Sequence, residues 1–126
     1  MENRTILLVE DDIDDQMFFL DALQGIEPKW ACDVANNGAE ALDYLKTDKP
    51  KIIFLDLNMP GMNGYDCLVK IKQSHSMIDV PVVIFSTADD KETVDRLKLL
   101  GADHYLAKPN NFLVLKNELR SLLLTA

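Results

Sequence analysis

Apolar runs alternate with amphipathic segments from one end of the chain to the other. Runs of strand length fall at about 5–9, 31–35, 52–56, 81–86 and 103–107. Segments with helical spacing fall at about 13–24, 38–46, 64–74, 90–99 and 111–124. In the last of these, Phe112, Leu115, Leu119 and Leu122 recur at steps of three and four. Val94, Leu97 and Leu100 repeat that period in the segment before, and Gly101 supplies its C-terminal stop. The first, third and fourth runs are nearly unbroken Ile, Leu, Val and Phe, as strands covered on both faces are. Ala31 to Ala35 carries Asp33 and reads as an edge strand. This alternation predicts an α/β fold, a doubly wound five-stranded parallel sheet with five helices. Right-handed crossovers favour the strand order 2-1-3-4-5.

Composition narrows the class. The 126 residues, 48% of them hydrophobic, suit one globular domain filling residues 1–126, with no repeat, linker or output domain expected. No apolar stretch approaches the roughly 18 residues that span a membrane, and the N-terminus lacks a signal-peptide pattern, so the expected location is cytoplasmic. The net charge of −8 disfavours nucleic acid and anionic membrane as partners, since no basic stripe is present to release counterions. Cys32 and Cys67 lack metal-ligand spacing and read as buried free thiols. His75 and His104 have no ligand-like companions and read as solvent-facing.

The chemistry lies at the strand ends. Run one, Thr5 to Val9, stops in Glu10, Asp11 and Asp12; run three stops in Asp56; run five stops in Lys108-Pro109. In the order 2-1-3-4-5, strands one and three flank the switch point, where open α/β sheets hold their ligands. The acidic turn and Asp56 then become neighbours. Two unit charges 4 Å apart repel by about 4 kcal/mol at an effective dielectric near 20, so the cluster needs neutralising. A hard divalent cation with oxygen ligands from Asp11, Asp56 and a backbone carbonyl would do so, which suits Mg²⁺, and Lys108 would add a fixed positive charge. The plainer reading is a solvated acidic turn in which Asp11, Asp12, Asp14 and Asp15 favour the helix dipole. Run four ends in Ser86 and Thr87, whose hydroxyls can donate to an anionic oxygen at the same edge. A carboxylate, a cation, a lysine and a hydroxyl around one point suit a phosphoryl group on Asp56, with that carboxylate as nucleophile.

These residues carry a resemblance. ILLVEDD after strand one, DLNMPGMNG at strand three, PVVIFSTA at strand four and YLAKP at strand five together resemble a response-regulator receiver domain of two-component signalling. That is a flavodoxin-like fold shared with the chemotaxis regulator. The likeness covers essentially the whole chain. It implies that Asp56 is the phosphoacceptor, modified to 4-aspartylphosphate. It makes Glu10 and Asp11 the metal carboxylates and has Asn58 offer its backbone carbonyl to Mg²⁺ or Mn²⁺. Ser86 takes the switch-hydroxyl position, Tyr105 the rotating aromatic and Lys108 the family's lysine. A one-residue shift would make Asp11 and Asp12 the metal pair; members commonly place the pair directly after the last strand valine, which favours Glu10. Thr87 is the alternative to Ser86, and spacing back from Lys108 favours Ser86. The Lys108–Pro109 bond is expected to be cis, as in the family. Asn58 and Ala88 occupy positions that influence water attack, and Ala88, unable to orient a water, implies slow self-dephosphorylation.

The resemblance further implies a phosphoacceptor that promotes its own phosphorylation and dephosphorylation, and no turnover enzyme. Its donor would be a sensor histidine kinase or histidine phosphotransfer protein. Signal would leave by protein contact to a downstream target through the helix 4, strand 5 and helix 5 face, from a monomer or weak dimer. A phosphorylation-independent docking module is the alternative. Two rivals fit less well: a flavodoxin would place its FMN phosphate against the acidic loop Glu10 to Asp15, and an aspartyl phosphatase would carry its nucleophile on the first strand.

Overall fold

The computed structural model describes residues 3–59, 61–87 and 90–125. The elements alternate without exception: β1 (Thr5–Val9), α1 (Ile13–Gln24), β2 (Ala31–Ala35), α2 (Gly38–Thr47), β3 (Ile52–Leu55), α3 (Gly64–Gln73), β4 (Val82–Ser86), α4 (Lys91–Leu99), β5 (His104–Ala107) and α5 (Phe112–Leu124). All strand pairs are parallel, in the order β2-β1-β3-β4-β5. The expected order is therefore the observed one, and β2 is an edge. Element starts shift by one residue where a side chain serves as a helix cap or a strand residue lacks an N–H. Asp90 and Asn111 cap α4 and α5 from just outside. Pro81 precedes β4 and contributes only its carbonyl, to Ile53 N–H.

Each helix starts on an Asp or Asn side chain that accepts a backbone N–H: Asp12, Asn37, Asn63, Asp90 and Asn111. This satisfies one of the orphan donors of the first turn and stabilises each helix by about 1 kcal/mol. At the other end of α4, Gly101 takes φ +108°, a left-handed conformation that ends the helix without Cβ strain.

The sheet's period of two divides the core. Leu7, Val9, Ile53, Leu55, Val82 and Ile84 face α2, α3 and Leu97 of α4. Ile6, Leu8, Phe54, Val83 and Phe85 face α1 and α5. On that second side Phe19 meets Phe54 and Phe85 edge-on at ring separations of 4.9 and 5.7 Å. The stripe of α5 differs from the expectation at its ends. Leu115, Leu119 and Leu123 are buried, whereas Phe112 is 40% exposed and rests edge-on against Phe18 of α1. No helix among the described residues is long and apolar enough to cross a membrane. Phe54→Ala would open a cavity beside Phe19 and should cost about 3–5 kcal/mol in urea unfolding, with an unchanged midpoint counting against this packing.

Candidate functional site

The carboxyl ends of β1, β3 and β5 converge as the strand order requires. Glu10 follows β1 and is fully buried; its amide donates to Ala35 O at 3.0 Å, extending the β1–β2 ladder. Asp56 follows β3 and is 4% exposed, its amide donating to Val9 O at 3.0 Å. Carboxylate oxygens of Glu10, Asp11 and Asp56 lie within 4.8 Å of one another. Asp12 is occupied differently: its Oδ1 accepts from the Asp15 amide at 3.0 Å and caps α1. Three converging hard oxygens, one of them on exposed Asp11, fit a small divalent cation.

Lys108 reaches this cluster from the end of β5. Its Nζ lies 2.6 Å from Glu10 Oε1, 2.9 Å from Asp15 Oδ2 and 3.6 Å from Asp56 Oδ1. Its amide donates to Ser86 O at 2.8 Å, tying the lysine's backbone to the end of β4. Ser86 is fully buried in register with Ala107, while Thr87 beyond the strand is exposed. Tyr105 is half-buried in β5 opposite Ile84 and packs on the α2–α4 side of the sheet. The expected cis bond at Lys108–Pro109 is absent. The cis peptide among the described residues is Glu27–Pro28. Trans is favoured for X–Pro by about 0.5–1 kcal/mol, and Lys108 contacts its carboxylates from that ordinary geometry. Ala88, tied above to phosphate lifetime, lies outside the described residues.

Burial is the leading electrostatic influence here. Burial raises the Glu10 carboxyl from 4.5 to about 7; the Lys108 bond works the other way, and the Asp56 charge adds to the rise. Burial likewise raises Asp56, against the lowering effect of Lys108, the Glu10 hydrogen bond and the Asn58 amide. Burial disfavours the Lys108 ammonium, but bonds from Asp15 and Glu10 and the charge of Asp56 more than offset this and hold it above the ordinary lysine value. Away from the site, Cys32 and Cys67 are free thiols, pushed by burial up to about 12 and about 11, so they are poor nucleophiles.

Two contributors have no counterpart in the strand-end pattern. Asp15 holds Lys108 across 93 residues of sequence. Gln16 Nε2 donates to Glu10 O at 2.6 Å and to Asn36 Oδ1 at 2.8 Å, bracing the acidic turn against the β2–α2 loop. Both sit on the first turn of α1, and only the docking of that helix brings them in. The loop after Asp56 is held just as tightly. A Cβ on Gly64 would lie 2.5 Å from Asp56 O and from Leu57 Cα, so glycine is what lets α3 begin against the site.

Similarity to known proteins follows the same residues. The family model described as "Response regulator receiver domain" matches residues 6–120. The chain is 33% identical over 104 residues to the probable C4-dicarboxylate response regulator DctR of Bacillus subtilis. That match covers 82% of this chain, and the chain spans 45% of that regulator's length. The crystal structure of the phosphorylated cyanobacterial phytochrome response regulator RcpA matches with a TM-score of 0.87 and 26% identity, covering 96% of this chain and 91% of that one. The Mn²⁺-bound form of response regulator Rcp1 matches with a TM-score of 0.82 and 27% identity, over 94% of this chain and 91% of that one.

Folded Glu10 holds its proton to a higher pH than the unfolded chain does, so its contribution to stability is full below pH 4.5 and is lost as pH rises through about 7. Asp56 carries the same sign. In metal-chelating buffer the protein should melt several degrees higher at about pH 5 than at about pH 7.5. Glu10→Gln should flatten that dependence, and an unchanged slope in the variant would rule out this origin. Gly64→Ala should lower the unfolding free energy by at least about 1 kcal/mol by forcing Asp56 and Leu57 apart from α3, read by denaturant titration.

Proposed function

The chain belongs to the response regulator receiver domain family, and on that premise we propose that it is a phospho-accepting regulator of a two-component phosphorelay, with Asp56 as the phosphorylated residue. One observation carries the reading: a nearly buried carboxylate at the switch point sits among Glu10, Asp11 and Lys108, at the ends of separate strands. Burying a carboxylate beside further acids costs stability, which a binding or reacting role for Asp56 would account for.

The chemistry then runs as an in-line displacement. A phosphohistidine of a sensor kinase or phosphotransfer protein docks at the carboxyl edge of the sheet. An Asp56 carboxylate oxygen attacks phosphorus; the O–P bond forms as the N–P bond breaks, and the imidazole nitrogen keeps the electron pair. Glu10, Asp11, Asp56 and the backbone carbonyl of Asn58 would hold Mg²⁺ or Mn²⁺, which supplies positive charge to the transferring oxygens. The Rcp1 relative in its Mn²⁺-bound form supports that class of metal. The engagement of Asp12 in capping α1 favours Glu10 and Asp11 as the carboxylate pair.

Lys108 pairs with one phosphoryl oxygen, and the Ser86 hydroxyl donates to another. The new group brings about two negative charges at pH 7. Movement of Ser86 at the end of β4 is passed to Tyr105, its near neighbour on β5, and so to the α4–β5–α5 face. A groove of about 370 Å³ lies on that face between β5 and α5, lined by Tyr105, Leu106, Asn117, Glu118, Ser121 and Leu122. A downstream protein would read the change there, from a cytoplasmic monomer or weak dimer. The same site promotes both gain and loss of phosphate, without acting as a turnover enzyme.

Incubation with acetyl phosphate and Mg²⁺ should add one phosphoryl group by intact mass, and Asp56→Asn should add none. A wild-type protein that stays unmodified, or an Asp56→Asn variant modified equally, would overturn the assignment.

A further inference from the structure

Lys108 is shared unequally among three carboxylates. Glu10 Oε1 at 2.6 Å and Asp15 Oδ2 at 2.9 Å are within charge-assisted hydrogen-bond range, whereas Asp56 Oδ1 at 3.6 Å is beyond it. An ammonium has three N–H donors; here one is given to Asp15 in a hydrogen bond and Glu10 makes a close ion pair, so the charge is drawn to carboxylates other than the phosphoacceptor. We propose that Asp15 is a positioning residue that competes with a phosphoryl group on Asp56 for Lys108, and so sets how strongly the phosphorylated state is held. This rests on the reading of Asp56 as phosphoacceptor.

The two competing carboxylates are not equivalent. The Glu10 side chain is 1% exposed, so releasing Lys108 would leave a buried charge unmatched. The Asp15 side chain is 42% exposed, and water can take over its solvation when the lysine turns away. Asp15 is thus the carboxylate that can let go. It is also well placed to hold on. Its amide is fastened to the Asp12 side chain at 3.0 Å, which fixes the first turn of α1, and the Lys108 side chain is only 12% exposed and so has little freedom to search elsewhere. A phosphoryl group arriving on Asp56 therefore meets a lysine whose charge is already matched. Part of its attraction for that lysine is used in displacing Asp15.

Asp14 provides the control. It lies in the same first turn and is exposed, and the carboxylates that pair with Lys108 are Glu10, Asp15 and Asp56 instead. A general effect of acidic charge near the site would act through either residue, whereas competition for the ammonium acts through Asp15 alone.

The test is the affinity for beryllofluoride, a mimic of the phosphoryl group, at saturating Mg²⁺, followed by ¹⁹F NMR or calorimetry. Asp15→Asn should bind about fivefold more tightly than wild type, the scale of one half-exposed charge-assisted contact. Asp15→Ala should show the same gain, Asp15→Glu should restore wild-type affinity, and Asp14→Asn should change it by less than about twofold. Thermal melts of each variant report that the fold is kept. Equal or weaker binding by both Asp15→Asn and Asp15→Ala, or an equal gain from Asp14→Asn, overturns the role of Asp15 while leaving Asp56 as phosphoacceptor. Absence of beryllofluoride binding by wild type overturns the phosphoacceptor reading itself, and the competition with it.

Discussion

The contact of Lys108 with the buried acids at the carboxyl edge of the sheet is the interaction on which the site depends. Glu10 and Asp56 are both out of water, and burial raises both carboxyls, with the Asp56 charge adding to the rise of Glu10. Burial alone would push both carboxyls higher still, and a positive charge beside them offsets this only in part, leaving Glu10 at about 7. Lys108 supplies that charge, and the acids in turn keep it protonated. Its backbone amide is bonded to Ser86 O, so the lysine that balances the acids is also tied to the strand carrying the hydroxyl. Charge balance and the link between strands meet in one residue.

The fold earns its place by making that meeting unavoidable. Parallel strands in the order β2-β1-β3-β4-β5 set the ends of β1 and β3 side by side, because the chain reverses its winding direction there. Phe19, Phe54 and Phe85 pack edge-on on one side of the sheet, and Lys108 Nζ lies 5.4 Å from the Phe85 ring centroid. Gln16 braces the acidic turn, and Gly64 lets α3 begin against the Asp56 carbonyl. Little of this framework can move cheaply. Half-exposed groups such as Asp15 and Tyr105 lie instead at the boundary between core and solvent.

Much of this was legible in the residues. Five apolar runs alternating with five amphipathic segments sufficed for the sheet and its order, and acids or lysine at three strand ends pointed to one place. The residues alone left choices open where neighbours differ only in direction. Asp12 and Asp11 are alike in sequence, but one caps a helix while the other faces the acids. Phe112 continued the helical stripe on paper, yet at the first position of α5 it is partly exposed and rests on Phe18 of α1. The Lys108–Pro109 bond is likewise a matter of local geometry, where a difference of about 1 kcal/mol decides and no residue pattern reveals it.

The residues by themselves determined the architecture and the kind of chemistry. Hydrophobic periodicity acts locally and repeats five times, and carboxylates at strand ends are placed by that periodicity alone. The tertiary structure decided which charges touch. Asp15 lies 93 residues from Lys108, and nothing in its surroundings along the chain distinguishes it from Asp14. Only the docking of α1 beside the ends of β1 and β5 turns one exposed acid of a helical first turn into a partner of the buried lysine.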